Sequence, residues 1–180
     1  MPLIEVSDGF YLSRICRNDK AAYLEHFTDS EIANNLLAVP FPYTEADADW
    51  WLNHCESRTR DPETMFAIRE SSGFLIGAIG IVDELPASAY RAEFGYWLAK
   101  THRGHGLMPR VIQTFASYAF EQLGLHRLYA KPFSPNLASQ RALEKAGFQR
   151  EGHLRQHYRK GDSFLDAILY GRLSQDHRTA

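Results

Sequence analysis

Thr101-His102-Arg103-Gly104-His105-Gly106-Leu107 is the stretch on which the reading of this chain turns. Before it runs Arg91 to Leu98, an apolar-rich segment that reads as a strand with Gly95 inside it. After it, Met108, Val111, Ile112, Phe115, Ala119 and Leu123 fall on one face of a helix, and Gly124 marks its end. A strand, a glycine turn and a helix start bring unpaired N–H groups and the positive end of a helix dipole to one spot. That is a recipe for holding phosphate. Gly104 and Gly106 let the main chain approach an anion closely, and Arg103 adds a charge suited to a diphosphate. A dinucleotide fingerprint would need a third glycine at 109, where Pro109 stands, and no Gly-Lys-Ser/Thr tripeptide of a P-loop occurs. The plain alternative is a tight strand-to-helix turn with no ligand.

Outward from the loop, elements alternate. Residues 3–16 read as a strand or hairpin around Asp8-Gly9, and 19–27 as a short helix with Asp19 near its cap. A second short helix is expected from about Ser30 to Leu37, and Pro40-Phe41-Pro42-Tyr43 is extended. Thr44 and Asp47 open a helix carrying Trp50, Trp51 and Leu52, with both tryptophans expected to pack it onto the sheet. Met65 to Ile68 and Phe74 to Val82 form an antiparallel hairpin, and 84–89 a loop. Beyond the long helix come a strand at Leu128-Tyr129-Ala130, a helix from Asn136 through Ala146 closed by Gly147, and a strand pair, 148–157 with 164–173. This order predicts an α/β (α+β) domain with a parallel crossover in a mixed sheet of about seven strands. It is read as a single domain, 1–180, with 173–180 a frayed tail.

Composition removes other classes. The chain has 180 residues, 44% hydrophobic and 13% aromatic, as in ordinary globular proteins. A net charge of −2 gives no broad field to draw it to nucleic acid or anionic lipid. No apolar run approaches the roughly 18 residues of a membrane span, and the first residues do not read as a signal peptide. Two cysteines, Cys16 and Cys55, make no C-x-x-C, so a reducing cytoplasm is the simplest setting. His102, His105, His153 and His157 lack the spacing of a zinc site, and no metal is expected.

Five segments in order resemble the GNAT superfamily of acetyl-CoA-dependent N-acetyltransferases, closest to its ribosomal-protein N-terminal (RimJ/RimL-like) branch. They are Pro40-Phe41-Pro42-Tyr43-Thr44, Ala92 to Leu98, Arg103 to Met108, Asn136 to Ser139 with Lys145 to Phe148 and Glu151-Gly152, and Leu154-Arg155 to Gly161 with Asp166. The loop departs from the family pattern at Thr101, where Gln or Arg is usual, and Pro109-Arg110 stands where a Thr-Glu pair is common. The Arg110 departure is read as a change of acceptor preference.

The resemblance implies a GNAT fold, mostly antiparallel, with a splayed parallel central pair flanked by helices. It also implies transfer of an acetyl group from acetyl-CoA to a primary amine. Trp97, Leu98 and Ala99 would bond the pantetheine arm through main chain. The N–H groups of Arg103, Gly104, His105, Gly106, Leu107 and Met108 would hold the pyrophosphate. Asn136 would bond the pantetheine, or serve as a plain helix cap, or both. Glu93 would be the base, directly or through water, with pairing to a nearby Arg as a structural acid its alternative. Ser139 would protonate the departing thiolate, or bond only local backbone. His157 and Tyr158 would line the acceptor end, where Tyr158 is otherwise a packed aromatic. Glu45, Asp47 and Asp49 either greet a basic acceptor or complement a helix dipole. The acceptor is expected to be a protein N-terminus, such as that of a ribosomal protein. The alternatives are a small amine such as a polyamine or aminoglycoside, or a non-catalytic acyl-CoA sensor. Oligomeric state is open, a homodimer included.

Overall fold

Thr44 shows how closely local chemistry sets the elements. Its hydroxyl accepts the Asp47 N–H at 3.3 Å, and Asp47 accepts the Thr44 N–H at 2.8 Å. This closed capping box opens helix α3, Glu45–Ser57. The computed structural model describes residues 3–7, 9–58, 61–82, 85–86 and 88–177. Its strands are β1 (Ile4–Ser7), β2 (Phe10–Arg14), β3 (Met65–Glu70), β4 (Leu75–Ile81), β5 (Arg91–Leu98), β6 (Arg127–Ala130), β7 (Gln149–Lys160) and β8 (Ser163–Leu173). Its other helices are α1 (Lys20–His26), α2 (Ser30–Asn35), α4 (Leu107–Glu121), α5 (Leu137–Lys145) and α6 (Ser174–His177). Among the described residues eight strands form where about seven are expected, because the first segment is a true hairpin, β1 with β2. Asp8 of its expected turn lies outside the described residues, and Gly9 takes φ +82°.

The chain divides into two compact units, residues 1–80 with 96–107, and residues 81–95 with 108–180. In the first, β1-β2-β3-β4 pair antiparallel in that order. Tyr23 and Phe27 of α1, Leu52 and Cys55 of α3, and Ala67, Leu75 and Ala78 of the strands make its core. Trp97 joins them, its ring 4.9 Å from Phe27 and 5.6 Å from Tyr23. Burial pushes the Cys55 thiol up to about 12, and neither cysteine is in a disulfide. Of the tryptophans on α3, only Trp51 packs against this core. Trp50 corrects the expectation. It is 65% exposed and stacks on His54, since the buried face of α3 runs through Ala48, Leu52 and Cys55.

Asp19 stands at the N-cap position of α1, as expected. It does not cap α1 with its side chain. Instead the carboxylate accepts the Cys16 N–H at 2.8 Å and takes the Arg69 guanidinium with both oxygens, at 2.7 and 2.9 Å.

In the second unit the order is β5-β6-β8-β7, with β5 and β6 parallel and the other pairs antiparallel. The parallel pairing covers only Arg91–Glu93 against Arg127–Tyr129, while β5 continues to Leu98. A parallel pair within a mostly antiparallel sheet is as expected. Phe94 packs against Phe115 and Phe148, and Val111, Ile112 and Ala119 of α4 are buried as the periodicity requires. Leu123 falls beyond α4, which ends at Glu121. Gly124 at φ +66° lets the Leu125 N–H return to the Ala119 carbonyl at 3.2 Å, a Schellman closure. Of the tail read as frayed, Ser174–His177 is helical, started by Asp176 accepting the Leu173 N–H, and residues 178–180 lie outside the described residues.

Candidate active site

The loop of the first unit is built from β5 outward. After Leu98 the chain makes a 3-10 turn at Lys100–His102 and reaches Gly104 at φ +83° and Gly106 at φ +78°. α4 begins one residue later, at Leu107. Both glycines occupy left-handed backbone that a β-branched side chain resists, and a Cβ at either would meet nothing within 4 Å. The requirement is therefore the backbone conformation, and the space beside it is open. The first turn of α4 has N–H groups with no partner inside the helix, and Pro109 fits there because its missing N–H costs nothing. Leu107 and Met108 turn buried side chains inward, so only their main chain can serve an anion.

Arg103 departs from expectation. Its Nε donates to the Leu98 carbonyl at 2.9 Å, and its terminal nitrogens pair with Glu31 at 2.9 Å and Asp29 at 3.0 Å. Its N–H turns back to Lys100 at 3.3 Å. The guanidinium is a strut between the loop and the start of α2, its charge matched by two carboxylates, rather than a charge held out to a diphosphate. Two main-chain groups expected to serve pantetheine are also engaged, the Leu98 carbonyl by Arg103 and the Ala99 N–H by the Ile76 carbonyl at 2.8 Å. The Trp97 ring belongs to the core, leaving its main chain as the part that can face a ligand. The hydroxyl of Thr101, at the position departing from the family loop, lies 2.9 Å from the His102 ring, and His105 is exposed.

In the second unit Glu93 stands at the end of the parallel pairing, opposite Tyr129. Its carboxylate pairs with the Lys131 ammonium at 2.8 Å and accepts the Tyr158 hydroxyl at 3.3 Å. Glu93 and Lys131 side chains are 12% and 18% exposed, so this pair is sheltered without being sealed. The ammonium lies 5.9 Å over the Tyr129 ring and 5.7 Å over the Tyr158 ring. Glu93 is in an ion pair, but its partner is Lys131 and not the arginine expected. Tyr158 is a packed aromatic against Phe133 and also a hydrogen-bond donor to Glu93, and His157 lies edge-on to it at 4.6 Å.

Sequence reasoning misses Lys131, which lies one residue past the end of β6, the strand that pairs with Glu93. Asn136 caps α5 by accepting the Ser139 N–H at 3.0 Å, and Ser139 is half-buried on the first turn. The acidic group on α3 is used internally: Glu45 and Asp49 hold Lys20, and Asp47 caps the helix. The Thr44 hydroxyl and N–H hold the Asp47 carboxyl below its ordinary range. His153 pairs with Asp166 at 2.7 Å. Among the described residues no group of three or more His, Cys, Asp or Glu side chains is arranged to hold a metal, and no helix is long and apolar enough to cross a membrane.

A strand, a paired-glycine turn and a helix start place unpaired N–H groups where they can hold an anionic phosphate group. The family described as "Acetyltransferase (GNAT) domain" matches residues 10–149, so the chain belongs to the GNAT acetyltransferases and is an acetyl-CoA-dependent N-acetyltransferase. It is 37% identical over 122 residues to a probable N-acetyltransferase, YjcK, of Bacillus subtilis (strain 168), covering 67% of each chain. Its fold is similar to that of a ribosomal-protein α-N acetyltransferase, RimL, in complex with coenzyme A, at TM-score 0.85 and 18% identity, covering 96% of this chain and 98% of that one. It is likewise similar to a spermidine N-acetyltransferase from Vibrio cholerae in complex with coenzyme A and spermine, at TM-score 0.80 and 21% identity, covering 96% and 99%.

Proposed function

We propose that this enzyme acetylates the α-amine of a protein or peptide N-terminus by direct transfer in a ternary complex. A ribosomal protein of the cytoplasm is one acceptor of that kind, in keeping with the RimL-like fold. The observation that carries the choice of an α-amine is the Glu93–Lys131 pair. One oxygen of this carboxylate already holds the Lys131 ammonium and the other the Tyr158 hydroxyl. The demand on it differs between amines. Neutralising an α-amine at pH 7 costs about 1 kcal/mol, whereas a lysine-like amine costs about 4–5 kcal/mol. The weaker demand suits this site.

The roles follow from the residues. The N–H groups of Gly104, His105, Gly106, Leu107 and Met108 hold the diphosphate, with Arg103 bracing the loop. Main chain at Trp97 to Ala99 contributes its uncommitted groups to the pantetheine, and Asn136 adds its amide while capping α5. Glu93 takes the amine's proton through a water. The neutral amine nitrogen then bonds to the thioester carbon, the carbon–sulfur bond breaks, and the extra proton left on the nitrogen is relayed through the Ser139 hydroxyl to the departing thiolate, leaving Ser139 neutral. In this reading residues 1–180 act as one catalytic domain.

The test is thiol release from acetyl-CoA with N-terminal peptides, polyamines and aminoglycosides in parallel. Peptides are expected to give the highest kcat/KM. Turnover confined to polyamines or aminoglycosides would overturn the acceptor, and coenzyme A binding without turnover on any amine would support the sensor reading instead.

A further inference from the structure

The pairing of β7 with β8 breaks beside Tyr158. Leu154 stands opposite Ala167 and Tyr158 opposite Leu165, so Arg155, Gln156 and His157 face Asp166 alone. An unbroken ladder would put Gln156 opposite Leu165. The two extra residues of the bulge bring Tyr158 to that place instead. Were the ladder unbroken, Tyr158 would stand opposite Ser163, on the same face but about 6–7 Å further along the strand. Its hydroxyl, which donates to Glu93 at 3.3 Å, would then be out of reach.

Asp166 ties the bulge down. One carboxylate oxygen accepts the Gln156 N–H at 2.8 Å, and the other lies 2.7 Å from the His153 ring. These two contacts hold the Asp166 carboxyl below its ordinary range. Gln156 sits at φ +48°, a left-handed conformation that a non-glycine residue adopts at a cost. The main chain beside Asp166 fixes a second arm of the site. The Asp166 carbonyl accepts the Ser134 N–H at 2.8 Å, and the Ile168 N–H donates to the Pro132 carbonyl at 3.0 Å. The stretch that follows Lys131 is thereby laid along β8. Lys131 and Tyr158 take one Glu93 oxygen each, so the carboxylate is oriented from both sides.

We infer that Asp166 is a positioning residue for acetyl transfer: by clamping the bulge it places Tyr158, and through Tyr158 it orients the Glu93 carboxylate. The inference rests on the reading of Glu93 as the base and deepens it, adding a residue that acts only through another side chain. Loss of such a clamp falls on the chemical step, since misplacing a reacting group by about 1 Å can cost about 10²-fold in rate.

The test measures kcat, and acetyl-CoA affinity by titration calorimetry, for Asp166→Ala, Tyr158→Phe and the double variant, with the best amine acceptor of the wild-type chain. Asp166→Ala should lower kcat by about 10–100-fold and leave acetyl-CoA affinity within about twofold. Both residues act along one path, so the double variant should fall within about twofold of the slower single variant. Asp166→Asn keeps an acceptor for the Gln156 N–H and should recover most of kcat. His153→Ala changes an exposed side chain. It should lose less than Asp166→Ala, and nothing further in the Tyr158→Phe background, which keeps the cycle readable should Asp166→Ala melt below the assay temperature. Wild-type kcat in Asp166→Ala, losses that multiply in the double variant, or a loss confined to acetyl-CoA affinity would overturn the inference. Glu93→Gln, assayed alongside, reports separately on the base. If it is inactive while Asp166→Ala keeps full kcat, the reading of Glu93 stands and the clamp falls. If it keeps wild-type kcat, the base falls and the clamp with it.

Discussion

Replacing Asp19 by Ala should be among the most damaging single changes in the first unit. The Arg69 side chain is 10% exposed and the Asp19 side chain 5%. The guanidinium donates twice to Asp19, and also to the Ser13 hydroxyl at 2.7 Å, the Arg14 carbonyl at 3.0 Å and the Gly73 carbonyl at 3.1 Å. Burial works against the Arg69 charge, and the Asp19 hydrogen bonds and field outweigh it, so its pKa is raised. Asp19→Ala strands that charge and leaves the Cys16 N–H without its acceptor. Breaking one side of a buried pair costs about 3–5 kcal/mol. That is a large part of the roughly 5–15 kcal/mol that holds a domain folded. At about 2–4 °C per kcal/mol for a chain of this size, the melting temperature should fall by roughly 6–20 °C. Arg69→Met with Asp19→Ala removes both charges and should cost less than the two single changes summed. Calorimetric melting of the four proteins completes the cycle. A loss under about 1 kcal/mol for Asp19→Ala, or strict additivity in the cycle, would refute the reasoning.

Gly104→Val places a β-branched residue at φ +83°, at a strain of about 1–2 kcal/mol, where its side chain also enters the open space beside the loop. Acetyl-CoA affinity by titration calorimetry should fall at least about tenfold, the equivalent of about 1.4 kcal/mol, while the protein stays folded. Ser139→Ala should lower kcat with little change in acetyl-CoA affinity, and a proportional loss of affinity would assign Ser139 to binding instead. The Arg127 guanidinium holds the Glu151 carboxyl below its ordinary range. A lowered carboxylate pKa adds stability above the unfolded-state value and loses it as pH falls through the folded value. Glu151→Gln should therefore cost about 0.5–1 kcal/mol at pH 7 and progressively less as the carboxyl protonates in acid, read from melting at neutral and at acid pH. An equal cost at both pH values would show that the pair acts through packing.

Features written into neighbouring residues are legible in the chain itself. The limits of β5, the Thr44–Asp47 box, the Asn136 cap and the Gly124 terminus all depend on residues within one turn of each other. What stays hidden is lateral. Arg69 meets Asp19 across 50 positions, Arg103 meets Glu31 across 72, and Lys131 meets Glu93 only because β5 and β6 run parallel in a particular register. No periodicity reports such pairings. The same cause explains Arg103, whose charge beside Gly104 suggests a phosphate ligand until α2 supplies its carboxylates. It explains Trp50 as well, since a capped helix start fixes where a helix begins and not which of two adjacent tryptophans faces inward.

The measurement closest to the central claim is thiol release from acetyl-CoA with a peptide α-amine as acceptor, for the wild-type chain and Glu93→Gln. Mass spectrometry of the peptide should locate the acetyl group at the N-terminus. The wild-type chain should transfer one acetyl group per thiol released. Glu93→Gln should lower kcat by about 10²–10⁴ with acetyl-CoA affinity unchanged. Wild-type activity in Glu93→Gln, or no acetylated amine while acetyl-CoA remains bound, would contradict the account.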